Sequence, residues 1–237
     1  MKSSVSILML VFALVLTSLS MEASVITSFD QNLPGSTGFY NGTGNVDGDF
    51  VNMLADYGSG NTITASLRLA QRTVGPIAPS IDNNYNCQAA EQCNVEYSVY
   101  TTGFHLADFT YALTIDDVTT GHSLSFDPLN TIPDDSYWTA DSGGSKTLVK
   151  NTATEVGFQN SEYLGFSFIS MPLGGWTPTD QLIVTLAVTP VSGVSLDPQV
   201  QMTVNQSAVP EPASVGLIGF GLMSLGLMRR RISSSKA

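Results

Sequence analysis

From residue 24 onward the chain alternates apolar and polar positions in short runs, the period-two pattern of half-buried strands. Ser24 to Phe29 is rich in β-formers and predicts a first strand. In the run from Asn61, residues Ile63, Ala65, Leu67 and Leu69 share one face, and Val74-Gly75-Pro76-Ile77-Ala78-Pro79 stops it. Val95, Tyr97 and Val99 alternate, as do Phe109, Tyr111, Leu113 and Ile115. Asp116 to His122 reads as a hairpin tip, with Gly121 free to take positive φ, and Ser123 to Phe126 as the return. Thr147 to Val149 and Glu155 to Phe158 are shorter candidates, and Leu164, Phe166 and Phe168 share a face. Leu182, Val184, Leu186 and Val188 give the clearest strand of the second half, and Val200, Met202 and Val204 the last. Asn32 to Asn45, Ile81 to Asn94 and Pro128 to Gly144 read as polar loops.

Roughly nine to eleven short strands separated by Gly, Pro and Asp turns predict an all-β fold. The expected architecture is an antiparallel β-sandwich, jelly-roll-like. No stretch of this body sustains a helical period, and no long linker or internal repeat divides it. The expected division is residues 1–23, 24–206 and 207–237, with the middle segment a single domain of adequate size for one core.

The two ends break the pattern. Lys2 followed by the apolar run Val5 to Leu16 is a basic n-region with an h-region too short for a typical span. Ser18-Leu19-Ser20, or Ala23, offers small residues to a signal peptidase, so residues 1–23 are expected to be a cleaved signal peptide. At the other end, Pro210 and Pro212 hold the chain extended around Glu211. An uncharged run from Ala213 to Met228 follows, which as a helix would span about 24 Å, slightly short of the ~30 Å hydrocarbon core. Arg229, Arg230 and Arg231 then form a cytoplasmic stop by the positive-inside rule. Pro210 to Pro212 therefore lies on the outer side.

Val209-Pro210-Glu211-Pro212-Ala213-Ser214, the short Gly-rich apolar run and the Arg cluster together resemble the PEP-CTERM sorting signal of bacterial exported proteins. The resemblance covers about a tenth of the chain. It implies a precursor held in the inner membrane and a membrane-embedded exosortase that cleaves near Pro210-Glu211-Pro212. It also implies a product passed to the cell surface or beyond. The Asp-Val-Thr-Thr-Gly hairpin tip and the Asn-Ser-Glu-Tyr-Leu-Gly-Phe segment from Asn160 are similar to bodies of other such proteins.

Composition excludes one class of partner. Between Ser24 and Val209 there are 18 acidic residues against four basic ones, Arg68, Arg72, Lys146 and Lys150. Such a surface repels nucleic acid. Cys87 and Cys93, close in sequence in an exported chain, are expected to form a disulfide that staples one local excursion.

Chemistry in the body is sparse. His105 and His122 are the two histidines, neither lies in a recognisable motif, and no Gly-x-Ser-x-Gly elbow occurs. Carboxylates are plentiful at Asp116, Asp117, Asp134, Asp135, Glu155 and Glu162. A glycan-active hydrolase using two of them is the alternative to a non-catalytic body. Asn45-Val46-Asp47-Gly48-Asp49 starts like an EF-hand loop, but Phe50 stands where Gly is required and Asp56 where the bidentate Glu belongs. A hairpin turn is the better reading there, with Asp47 and Asp49 the remaining calcium candidates. No cofactor is called for. Exposed loop aromatics beside carboxylates would suit polysaccharide, and Tyr137, Trp138 and Trp176 are the candidates, against core packing for each tryptophan.

Overall fold

The computed structural model describes residues 24–33, 48–87, 92–133, 135–139, 150–175, 180–193, 196 and 198–206. They form an all-β body of two sheets. The larger has β1 (Ser24–Gln31), β2 (Phe50–Asp56), β3 (Thr62–Gln71), β6 (Cys93–Thr102), β10 (Glu155–Tyr163) and β9 (Ser136–Thr139) in that order, with the short β4 (Gly75–Pro76) also on β3. The smaller runs β5 (Asn84–Cys87), β12 (Gln199–Gln206), β11 (Gln181–Pro190), β7 (Phe109–Asp117) and β8 (Ser123–Phe126). Every pairing is antiparallel except β5 with β12.

The alternating positions converge as their period demands. Val51, Met53 and Ala55 of β2, Ile63 to Leu69 of β3, and Val95, Tyr97 and Val99 of β6 meet Leu113, Ile115, Leu182, Val184, Leu186, Val200, Met202 and Val204 of the smaller sheet in one buried cluster. The strand order departs from the jelly-roll-like expectation. Strands β1, β2 and β3 succeed one another within one sheet, each antiparallel to the next, and β4 returns along β3. The β2–β3 turn is tight: Tyr57 N donates to Asn61 O at 2.9 Å, with Gly58 and Gly60 at φ 83° and 79°.

Four segments differ from the sequence reading. Phe50–Asp56, which alternates Val51, Met53 and Ala55, is strand β2 and was not anticipated as one. The polar segment from Ile81 contains β5, whose Tyr85 is fully buried, and the Pro128–Gly144 stretch contains a helical turn at Pro128–Thr131 and strand β9. Asp127 starts that turn by accepting from the backbone of Leu129 and Asn130. Leu164, Phe166 and Phe168 do not form a strand. Ser167–Ser170 is a helical turn, so Leu164 and Ile169 go into the core while Phe166 and Phe168 point out. Thr147 to Val149 lies outside the described residues.

Candidate functional site

The described chain ends on β12, and its last residue fixes one end of the sandwich. Gln206 is paired with Cys87 of the smaller sheet, and Cys87 is disulfide-bonded to Cys93 of the larger. Cys93 faces Gln71 across β3, and its carbonyl accepts from Leu164 N at 3.0 Å. The disulfide was expected to staple a local excursion. It instead ties the two sheets together, because β5 and β6 belong to opposite layers although only six residues separate the cysteines. The chain leaves this end toward Pro210, Glu211, Pro212, Arg229, Arg230 and Arg231, which lie outside the described residues, as do residues 1–23. Among the described residues no helix is long and apolar enough to cross a membrane.

The opposite end carries a cleft of about 360 Å³. Tyr57 and Asn61 come from the β2–β3 turn, Phe104 and Asp108 from the β6–β7 connection with Phe109 at the start of β7, and Pro190 from the end of β11 with Ser192 and Gly193 just after it. Phe104 stands edge-on to both Tyr57 and Phe109, at 5.4 and 5.2 Å between ring centres. Gly103, at φ 74°, lets the chain pass the Asn61 side chain, where a Cβ would come within 2.0 Å of Oδ1. Among the described residues Asp108 is the one carboxylate lining the cleft, and its Oδ2 accepts from His105 N at 2.8 Å. These residues come from three separate segments, so no local motif announces them.

The carboxylates of the hydrolase alternative are dispersed. Asp117 is buried and holds the hairpin tip through Thr119 N, Thr120 N and Thr120 Oγ1, while its neighbour Asp116 faces the other way, half-buried. Asp135 is buried and accepts from the hydroxyls of Tyr97 and Tyr137 at 3.3 and 3.1 Å. Glu155 and Glu162 sit at opposite ends of β10, roughly 20 Å apart at ~3.3 Å per residue, far beyond the ~5–9.5 Å of a glycosidase pair. Burial raises the Glu155 carboxyl above the ordinary glutamate range, with the Asn151 backbone and Lys150 pulling the other way. Asp134 lies outside the described residues. His105 and His122 are both exposed, and His122 Nδ1 meets Thr120 Oγ1 at 3.0 Å.

Of the calcium candidates, Asp47 lies outside the described residues. Asp49 is a left-handed turn residue at φ 61°, and its carbonyl accepts from the Tyr85 hydroxyl at 2.6 Å. Among the described residues no group of three or more His, Cys, Asp or Glu could hold a metal ion. Tyr137 and Trp138 do not serve as exposed sugar platforms: both are about 2 % exposed. Trp138 lies across from Gly157 and stacks on Tyr100 at 6.5 Å. Trp176 lies outside the described residues.

The outer face of the larger sheet is also buried, and it is polar. Asn52, Ser66, Ser98, Gln159 and Ser136 form one row across neighbouring strands, all buried. Beside them Arg68, counted with the surface charges by composition alone, is fully withdrawn. Its Nε donates to Glu96 Oε2 at 2.6 Å and its guanidinium lies 4.2 Å over the Phe50 ring. Burial pushes the Glu96 carboxyl up, against the opposing pull of Arg68 and Ser161.

Residues 208–231 match the family model of the PEP-CTERM protein-sorting motif. No curated protein and no solved structure matches the chain. The motif begins two residues after the end of β12, so the sorting signal follows the folded body with almost no linker.

Proposed function

We propose that this chain, which carries a PEP-CTERM protein-sorting motif, is an exported, non-catalytic protein of the bacterial cell envelope or extracellular matrix. An exosortase is its processing partner, and export to the envelope is its route. In this reading a signal peptidase removes residues 1–23, and residues 207–237 hold the precursor in the inner membrane. The exosortase then acts at Pro210-Glu211-Pro212. The observation that carries the reading is the position of the motif, starting at residue 208 just past Gln206. Cleavage there leaves β12, a central strand of the smaller sheet, intact. The test is intact-mass analysis of the exported protein. The expected species lacks everything from near Pro212 onward, and a full-length mature form as the sole product overturns the reading.

Polysaccharide association is a second reading, favoured by the aromatic cleft. Tyr57 and Phe104 offer half-buried aromatic surface beside the Asn61, Asp108 and Ser192 polar groups, a combination suited to a sugar's apolar face and its hydroxyls. The cleft lies at the end opposite the tail, about 26 Å away along the eight residues of β12. It would thus face outward while the precursor is still membrane-held. A hydrolase is supported less well, because among the described residues one carboxylate lines the cleft and the others are spread through the fold. A glycan array tests binding. Turnover of a polysaccharide, abolished by Asp108→Asn, would replace this reading with the enzymatic one.

A further inference from the structure

At the end of the sandwich from which the tail departs, the segment 164–175 carries no charge, in a body otherwise rich in carboxylates. Leu164, Ile169 and Leu173 anchor it in the core, while Phe166 and Phe168 are each 42 % exposed and Met171 76 % exposed. Their arrangement is braced. Phe166 stacks on Phe168 at 5.9 Å and stands edge-on to Tyr163 at 5.3 Å. Phe168 stands edge-on to Phe126, and the exposed Arg72 lies 4.2 Å over the Tyr163 ring. Such apolar exposure marks an interaction site on a soluble surface.

We infer that Phe166, Phe168 and Met171, with Arg72 beside them, rest on the lipid surface of the membrane while the tail is attached. The inference rests on the proposed membrane insertion of the tail. Its geometric basis is the short tether. Six residues separate Gln206 from Ala213, where the uncharged run begins, and even fully extended the seven Cα-to-Cα steps reach about 25 Å. The patch lies at the tail's root: Leu164 N bonds the Cys93 carbonyl, Cys93 is bridged to Cys87, and Cys87 is paired with Gln206. Aromatic rings and a neighbouring arginine are the residues that settle at the boundary of headgroups and acyl chains. Arg72 is one of four cations in the body, and it sits where anionic headgroups would meet it. The contact would hold Pro210-Glu211-Pro212 near the bilayer surface and orient the cleft away from it.

The test uses the full chain reconstituted into phosphatidylethanolamine–phosphatidylglycerol vesicles, with and without brominated acyl chains. Phe168→Trp and, at the cleft end, Ser192→Trp are compared after subtracting parent emission. Bromine should quench the tryptophan at 168 by at least about twofold and leave the one at 192 unchanged. Adding Phe166→Ser and Met171→Ser should remove the quenching while the chain still floats with vesicles. A floating chain whose position 168 is no more quenched than 192 overturns the inference. So does a position 168 already shielded without lipid, which would mean the tail covers the patch. A chain that does not float overturns both the inference and the membrane-held precursor.

Discussion

Arg68 Nε lies 2.6 Å from Glu96 Oε2, across β3 and β6, on the outer face of the larger sheet and out of contact with solvent. A buried charge that loses its partner is left uncompensated, whereas a buried pair replaced by apolar groups of similar volume is tolerated. Glu96→Leu or Arg68→Met alone should therefore cost about 3 kcal/mol or more. The double variant should recover most of that loss. Urea denaturation of the four proteins checks it, and strictly additive losses would contradict the pairing.

The Cys87–Cys93 bridge closes a short loop but joins two layers. Loop-closure entropy alone predicts that Cys87→Ser/Cys93→Ser lowers stability by about 2 kcal/mol. A larger loss would measure what the bridge adds by holding the sheets together. Adding reductant to the wild type should reproduce the loss, and adding it to the double variant should change nothing further.

Gly157 leaves room for Trp138. A Cβ built on it would lie 2.2 Å from the indole ring, and neither side has space to yield, since the indole is buried. Gly157→Ala should lower the unfolding free energy by roughly 1–3 kcal/mol and perturb the Trp138 near-ultraviolet dichroism. The further change Trp138→Leu should relieve the clash and restore part of the loss.

Glu155 gives the pH dependence. Its side chain is buried, Oε2 finds no hydrogen-bond partner among the described residues, and its folded pKa is raised above the usual 4.5. A raised pKa means that the folded state holds the proton more tightly than the unfolded chain. The resulting stabilisation is complete below the ordinary glutamate range and is lost as pH rises through the raised value. Glu155→Gln should therefore melt higher than wild type at neutral pH, with the gain shrinking as pH falls toward 4. Melting curves across pH 4 to 8 read this, and a gain independent of pH would refute the titration.

The alternating runs were legible because a strand's side chains repeat every two residues, so one buried face leaves its mark without any knowledge of partners. Ile63 to Leu69, Phe109 to Ile115 and Leu182 to Val188 are of this kind. Strand β9 escaped because Ser136-Tyr137-Trp138-Thr139 is short and follows a polar loop, and β5 because Asn84 and Asn86 flank its single buried aromatic, Tyr85. The cleft left no local sign, since Tyr57, Phe104 and Ser192 meet only when the turns at one end of the two sheets are brought together.

By itself the sequence determined the β character of the body and the sorting signal at residues 208–231, since period-two alternation and a proline–apolar–arginine series are both local properties. Tertiary structure alone decided that Arg68 is buried, that Cys87 and Cys93 bridge opposite layers, and that Phe166 and Phe168 lie beside the tail's root while the cleft lies far from it. Alternation reports that one face of a strand is covered. What covers the other face, and which ends of distant strands coincide, depends on how the sheets pair and stack.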